Sequence, residues 1–317
     1  MENKRVLFIT FDLSGYYDSV YSELQQRYTH VDYFNTATVR FKYKNFRQRL
    51  YSFFYKLFTG RKLKNFYKYQ QVIEKVQGNR YDITLMVRPD LFFDSQLAFL
   101  QKISGRFIAY YHDSVNNLKR KKDVIHFFDK VYAYEKRDVA DYNLEFLSNF
   151  IYFDAPGQLP EPKYDVFSVM ADDYRTGTLK NLAAFLKRSG RSYVFYVMKD
   201  GVLPNDALVT YMGKRMNNAE VTACIKEAEC IADIHKYGVQ DGLTFRTFEA
   251  LGYRKKLITT NTDVVTYDFY DPNNIFILED SNAINIPDSF FETPYREVPH
   301  DIYKKYTLSA WLDKVLS

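Results

Sequence analysis

Residues 241–261 read DGLTFRTFEALGYRKKLITTN. An acid and a glycine lead into a segment where Phe245, Phe248 and Leu251 recur at helical spacing. The spacing predicts a helix over 243–251 that stops at Gly252, then an apolar strand over 257–260. The first turn of such a helix carries unpaired N–H groups and the positive end of its dipole, which suits an anion. Gly242 has no side chain to keep a ligand from the backbone, and Arg246 adds a charged donor suited to phosphate oxygens. Glu249 lies three residues on, along the same face, where a carboxylate accepts from two vicinal hydroxyls such as those of a ribose. Hydrogen bonds of that charged kind contribute about 1.5–3 kcal/mol each. The plainer alternative is a solvated Glu249 with Arg246 as its helical partner.

Outward from this stretch, helix and strand signals alternate. Towards the N-terminus, strands are expected over 6–11, 31–34, 83–87, 107–111, 129–138 and 149–153, with helices near 17–27 and 95–103. Three prolines and a glycine in DAPGQLPEPKYD, 154–165, mark a linker. Beyond it the pattern restarts: strands over 166–170, 193–197, 208–212, 230–234 and 275–278, and helices over 179–187 and 219–228. Strands separated by helical crossovers imply parallel sheets. The expected fold is therefore α/β, with two Rossmann-like, doubly wound domains facing across a cleft. The division is 1–155 for an N-terminal domain and 163–300 for a C-terminal one. An amphipathic C-terminal helix over 301–317 is placed on either half, crossing back to the first in one reading.

A length of 317 residues favours two domains of ordinary size, and 46% hydrophobic residues suffice for two cores. Cys224 and Cys230 lack CxxC spacing and a His at ligand distance, so neither a disulfide framework nor a structural zinc is expected. No apolar run approaches the 18 or so residues of a membrane span, and RVLFITF (5–11) meets Asp12 at once. The expected location is cytoplasmic, with peripheral contact to the cytoplasmic membrane allowed. DLSGYYDS, after the first strand, has one glycine where a dinucleotide fingerprint needs three, which disfavours an NAD-dependent oxidoreductase.

The 241–261 segment resembles the donor-binding motif of GT-B glycosyltransferases, in which an acid, seven residues and a glutamate precede a strand. Asp241 and Glu249 occupy those places, and EALG stands where these enzymes often carry EAxA and a glycine. With YDFYDPNNIFIL (267–278) and His112-Asp113-Ser114 after a strand, the chain is similar to bacterial glycosyltransferases of lipopolysaccharide and capsule synthesis. It departs in one place, since the first acid is Asp rather than Glu. The resemblance implies that Glu249 binds the ribose and that Asp241 and Gly242 face the transferred sugar. It also implies that Thr244, Phe245 and Arg246 line the pyrophosphate of a nucleotide-sugar donor. MADDYRTGTLKNL (170–182) follows a strand and opens a helix, which places Arg175 and Lys180 where cations neutralise a leaving diphosphate. No D-x-D triplet occurs, so no metal and no cofactor beyond the donor itself is expected.

Three spots follow strands of the first half: Asp12 to Tyr16, Arg88 to Asp90, and His112 to Ser114. A general base for the acceptor hydroxyl is sought among Asp12, Asp90, His112 and Asp113. His112 sets an imidazole, a common proton acceptor, beside an acid; Asp12 and Asp90 serve equally as turn formers. A last anomaly is RFKYKNFRQRLYSFFYKLFTGRKLKNFYKY, 40–69, with ten Lys or Arg, no acid, and Phe and Tyr throughout. It suits an anionic lipid surface carrying a lipid-linked glycan acceptor, or nucleic acid stacked on its rings, or a helical hairpin with an aromatic core. A non-catalytic membrane-surface or nucleic-acid-binding protein is thus the alternative to a transferase.

Overall fold

In the computed structural model, which describes residues 2–153 and 157–317, the run Val6, Leu7, Phe8 and Ile9 is completely buried. A strand covered on both faces is apolar at successive positions rather than alternate ones, and these residues lie in such a strand, β1 (Glu2–Thr10). After it come α1 (Asp18–Arg27), β2 (Tyr28–Asn35), α2 (Phe46–Thr59), α3 (Leu63–Val76), β3 (Tyr81–Val87), α4 (Asp94–Ile103) and β4 (Ser104–Tyr111). Then follow α5 (Lys121–Val124), β5 (Lys130–Ala133), α6 (Lys136–Tyr142) and the two-residue edge strand β6 (Glu145–Phe146). All six strands are parallel, in the order β2-β1-β3-β4-β5-β6. The strand order reverses between β1 and β3, and the loops after those strands leave from one edge.

The second sheet repeats the scheme with a different order. Its elements are β7 (Tyr164–Ala171), α7 (Thr176–Arg188), β8 (Tyr193–Met198), β9 (Thr210–Met212), α8 (Asn218–Lys226) and β10 (Ala228–Asp233). They continue through α9 (Phe245–Gly252), β11 (Lys256–Thr259), β12 (Ile275–Ile277), α10 (Asp288–Glu292), α11 (His300–Lys305) and α12 (Leu308–Leu316). The order β12-β11-β10-β7-β8-β9, again all parallel, reverses between β7 and β10. The fold is α/β with two doubly wound sheets. The chain divides into one unit of Met1–Leu147 with Lys314–Ser317 and a second of Ser148–Asp313. The end of α12 from Lys314, with Ser317 after it, thus belongs with the first unit, where the Arg106 guanidinium donates to the carbonyl of Leu316 at 2.7 Å.

Several expectations shift. Residues 154–156 of the expected linker lie outside the described residues. The run 149–153 adds no strand to the first sheet; Ile151 makes a single bridge to Thr307 in the second unit. Strand β5 ends at Ala133, and the rest of the segment over 129–138 turns into α6 at Lys136. The helix expected over 243–251 runs from Phe245 to Gly252, because Thr244 is its N-cap and accepts from the Arg246 N–H at 3.1 Å. Gly252 therefore does not stop the helix. A Cβ there would lie 2.7 Å from both Ile151 Cγ2 and Phe153 Cζ, so glycine is what lets that segment press on α9. The left-handed residue after the helix is Arg254, φ 54°. The basic stretch 40–69 takes in α2 and the first half of α3, separated at Gly60, whose φ of 69° suits a residue without Cβ.

Candidate functional site

In the second unit the candidate donor residues gather at the carboxyl edge of the sheet. The loop from β10 to α9 is held from several sides. Asp233, the last residue of β10, accepts from the Thr244 hydroxyl at 2.8 Å. The Asn261 amide donates to the carbonyls of Asp241 and Gly242 at 3.3 and 3.2 Å, and the Asn149 amide donates to that of Leu243 at 2.9 Å. Asp241, Gly242, Thr244 and Phe245 are thereby brought to the N-terminal end of α9, as the spacing suggested.

Glu249 departs from the plainer alternative in its burial, though not in its helical partner. It is neither solvated nor open: its exposure is 0%. Oε1 accepts from the Tyr152 hydroxyl at 2.6 Å, and Oε2 pairs with the Arg246 guanidinium. A buried carboxylate is tolerated only with such partners. Tyr152 also reaches Asn218 Oδ1 at 3.1 Å, so it ties α9 to the start of α8. No periodicity announced Tyr152; its position against α9 comes from the backbone path of 148–153.

Arg175, after β7, grips Asp173 through Nε at 2.9 Å and Nη2 at 2.8 Å, while Nη1 donates to the Ile234 carbonyl at 2.7 Å. It thus bridges the loops after β7 and β10, the pair of strands between which the order reverses. There it lines a depression of about 220 Å³ with Tyr174, Thr178, His235, Thr260 and Glu279. Crevices at such points are where open α/β sheets take ligands. Asp172 accepts from the Thr176 hydroxyl at 3.0 Å, so the adjacent acids shape the first turn of α7. Lys180 is drawn away to Asp206 at 2.5 Å and does not line the depression.

In the first unit, the loops after β1, β3 and β4 carry the four candidate bases, and the structure separates their roles. The Asp12 carboxylate accepts from the backbone N–H groups of Ser14, Gly15 and Tyr17 at 2.7, 3.0 and 2.8 Å, which makes it the turn former. Asp90 is gripped by both arms of Arg88, at 2.9 and 3.0 Å. Arg88 itself has φ 66° and ψ 51°, a left-handed conformation costly for a residue with a side chain. Asp113 Oδ2 lies 3.2 Å from His112 Nε2 and 4.0 Å from Arg88 Nη1. Burial alone would raise the Asp113 carboxyl, but His112, with Lys121 and Arg88, outweighs it and holds the group well below the usual carboxylate range. Asp113 is therefore a weak base suited to orienting the imidazole. His112 Nδ1 is buried and has no hydrogen-bond partner among the described residues.

Lys121 was not singled out, because RKK at 120–122 reads as a solvated charge run. Its ammonium is completely buried, donates to the Asp113 carbonyl at 2.5 Å and lies 4.7 Å from the Tyr111 ring centre. Burial pushes it down to about 8, against the attraction of Asp113, Asp90 and Asp138. Among the described residues no three His, Cys, Asp or Glu gather as a metal site, and no helix is long and apolar enough to cross a membrane.

No protein-family profile matches the chain, and no curated protein is similar to it in sequence. Solved structures are similar in fold. An α,α-trehalose-phosphate synthase (UDP-forming) from Burkholderia xenovorans, in complex with glucose-6-phosphate, superposes with a TM-score of 0.57 at 10% identity, covering 98% of this chain and 99% of that one. An α-glucosyltransferase in complex with UDP and a 13-mer DNA gives 0.59 at 11% identity over 99% and 98% of the two chains. Sucrose-phosphate synthase from Thermosynechococcus elongatus gives 0.59 at 10% identity over 98% and 97%. At these identities the likeness is one of fold, and that fold is the GT-B type.

Proposed function

We propose that the protein is a glycosyltransferase that moves a sugar from a nucleotide-diphosphate donor, bound by the second unit, to an acceptor hydroxyl bound by the first. The observation that carries this reading is the edge where the order of the second sheet reverses. Arg175 joins two loops there over an open depression, and the same edge carries the Thr244-capped end of α9. The neighbours in fold, two of them named with UDP, support the same donor class.

In this reading the pyrophosphate lies at Thr244, Phe245 and Arg246, and the transferred sugar faces Asp241 and Gly242. Arg175, Arg246 and the helix end answer the charge of the leaving diphosphate without a metal ion. Lys180, drawn to Asp206, joins them only if it exchanges partners. Glu249 Oε1 is held by a single neutral hydroxyl from Tyr152, the kind of donor a ribose supplies. The nucleoside enters by exchanging with that phenol. In the first unit His112 takes the acceptor proton and Asp113 orients it, while Asp12 and Asp90 shape the loops. The acceptor is a surface-glycan precursor, lipopolysaccharide or capsule, carried on lipid.

Thermal-shift measurements on the full chain with UDP, GDP, CMP and ADP test the proposal, since a ligand of the folded state raises the melting temperature. One of the four should stabilise. Glu249→Gln should weaken that shift and Tyr152→Phe should preserve or enlarge it, because it frees the acceptor oxygen. A chain indifferent to all four nucleotides would be a binding protein rather than this enzyme.

A further inference from the structure

The helix α2 is turned inside out. Its sequence, FRQRLYSFFYKLFT, is amphipathic, and such a helix ordinarily buries its apolar arc. Here Ser52 is the one buried residue, with Gln48 and Tyr55 half-buried beside it. At 100° per residue these three share one side. On the other, Phe53, Phe46, Leu57, Leu50 and Phe54 form a continuous arc that extends to Phe58 and Tyr51. All seven are exposed, Phe46 by 74% and Phe58 by 81%. Scattered exposed apolar residues need no explanation, but a contiguous arc of seven on one helix marks an interaction surface.

Charge identifies what it meets. Between Asp32 and Glu74 the chain contains no acidic residue, while 40–69 holds ten Lys or Arg. The whole chain carries only +5, so everything outside this stretch sums to a negative charge. Arg49 and Lys56 sit at one border of the apolar arc and Arg47 within its other end, all exposed, with stems long enough to keep their heads in water while the rings descend. A second copy of this chain would bring the same cations against one another. A nucleic acid stacks on aromatic rings, yet the centre of this arc includes Leu50 and Leu57, which offer no π-face. Aliphatic and aromatic groups together on a helix bordered by cations are the composition that lies in the headgroup region of an anionic bilayer.

We propose that α2 is an interfacial anchor that binds the protein in the plane of an anionic lipid surface, its arc from Phe53 to Tyr51 in the headgroup boundary and its cations on the phosphates. This stands on the exposure and charge of α2 and does not depend on the transferase reading. The test is sedimentation of the full chain with vesicles of phosphatidylcholine, with and without about a third phosphatidylglycerol. Binding should be strong with the anionic lipid, about tenfold or more weaker without it, and should fall as salt rises.

The combined variant Phe46→Ser, Phe53→Ser, Leu57→Ser, Phe58→Ser should lose at least about tenfold in partition. Its melting temperature, and any nucleotide shift, should stay unchanged, which keeps loss of the anchor distinct from loss of the donor site. Arg49→Gln with Lys56→Gln should weaken binding to the anionic vesicles alone. Vesicle binding indifferent to the serine variant overturns the proposal. So does retention on a single-stranded oligonucleotide without retention on vesicles, or a dimer that the serine variant dissociates while vesicle binding persists.

Discussion

Helices α9 and α2 are both amphipathic, and each puts something on the side where its composition is least at home. The first buries six of its eight residues, a carboxylate among them; the second buries one serine and exposes its rings. The difference lies in what surrounds each helix. Strands β10 and β11 flank α9, and the core around it takes in Phe248, Ala250 and Leu251, while Tyr152 and Arg246 satisfy Glu249. Helix α2 has α3 for a neighbour, and α3 turns its own Tyr69, Val72, Ile73 and Val76 into the sheet. The core of the first unit is thus closed by α3, which leaves nothing for the rings of α2 to enter. Amphipathic spacing tells that a helix has two faces; it does not tell what either face meets.

Three measurements strain this contrast. The largest effect is expected at Phe248→Ala: a fully buried ring removed from α9 should cost about 3–5 kcal/mol of unfolding free energy in chemical denaturation. A loss under about 1 kcal/mol would mean that the inward face of α9 is loosely packed and the contrast with α2 is one of degree.

The second concerns Lys121, a buried charge in the same unit as the exposed rings, faced by Asp113, Asp90, Asp138 and Arg88. Its folded value is about 8 against 10.5 when unfolded. Below pH 8 both states hold the proton and the burial cost is constant. Between the two values the unfolded state binds more protons, so the stability contribution rises with pH, and above 10.5 the cost is gone. The stability of wild type relative to Lys121→Met should therefore improve by up to about 3 kcal/mol across that window. A pH-independent difference would show that Lys121 stays charged in the fold, held by its acids.

The smallest effect is expected at Phe53→Ser on α2, within about 0.5 kcal/mol of wild type by the same denaturation. A loss of 2 kcal/mol or more, as on the order of a buried ring, would mean the arc is covered within the chain and would cancel the inversion.

Much of the architecture was legible because parallel strands buried on both faces leave an unmistakable trace. Runs such as Val6 to Ile9 and Leu85 to Val87 are apolar at successive positions, with helical crossovers between them. The loops after β1, β3, β4, β7 and β10 followed directly, since ligand-facing residues in such sheets lie just beyond strand ends. What went unread were the partners. Asp12 looked as available for catalysis as Asp113 until three backbone N–H groups were found on its oxygens. Lys121 looked solvated, and Tyr152 looked like part of a strand. The Asp12 partners lie two to five residues on but take their places only once the loop closes; the Tyr152 contact with Glu249 spans 97 positions, a separation no local pattern encodes.

Composition and period alone determined that this chain makes two parallel α/β sheets, with acids and cations at the strand ends and one unusually basic, aromatic stretch. Both follow from local rules: which residues a doubly covered strand admits, and which a turn requires. Only the tertiary structure decided that Glu249 faces inward to a phenol and a guanidinium, that His112 Nδ1 is buried without a partner among the described residues, and that α2 carries its rings outward. Orientation is a property of what packs on the other side, and that is settled when distant segments meet and bury whichever surface closes the core.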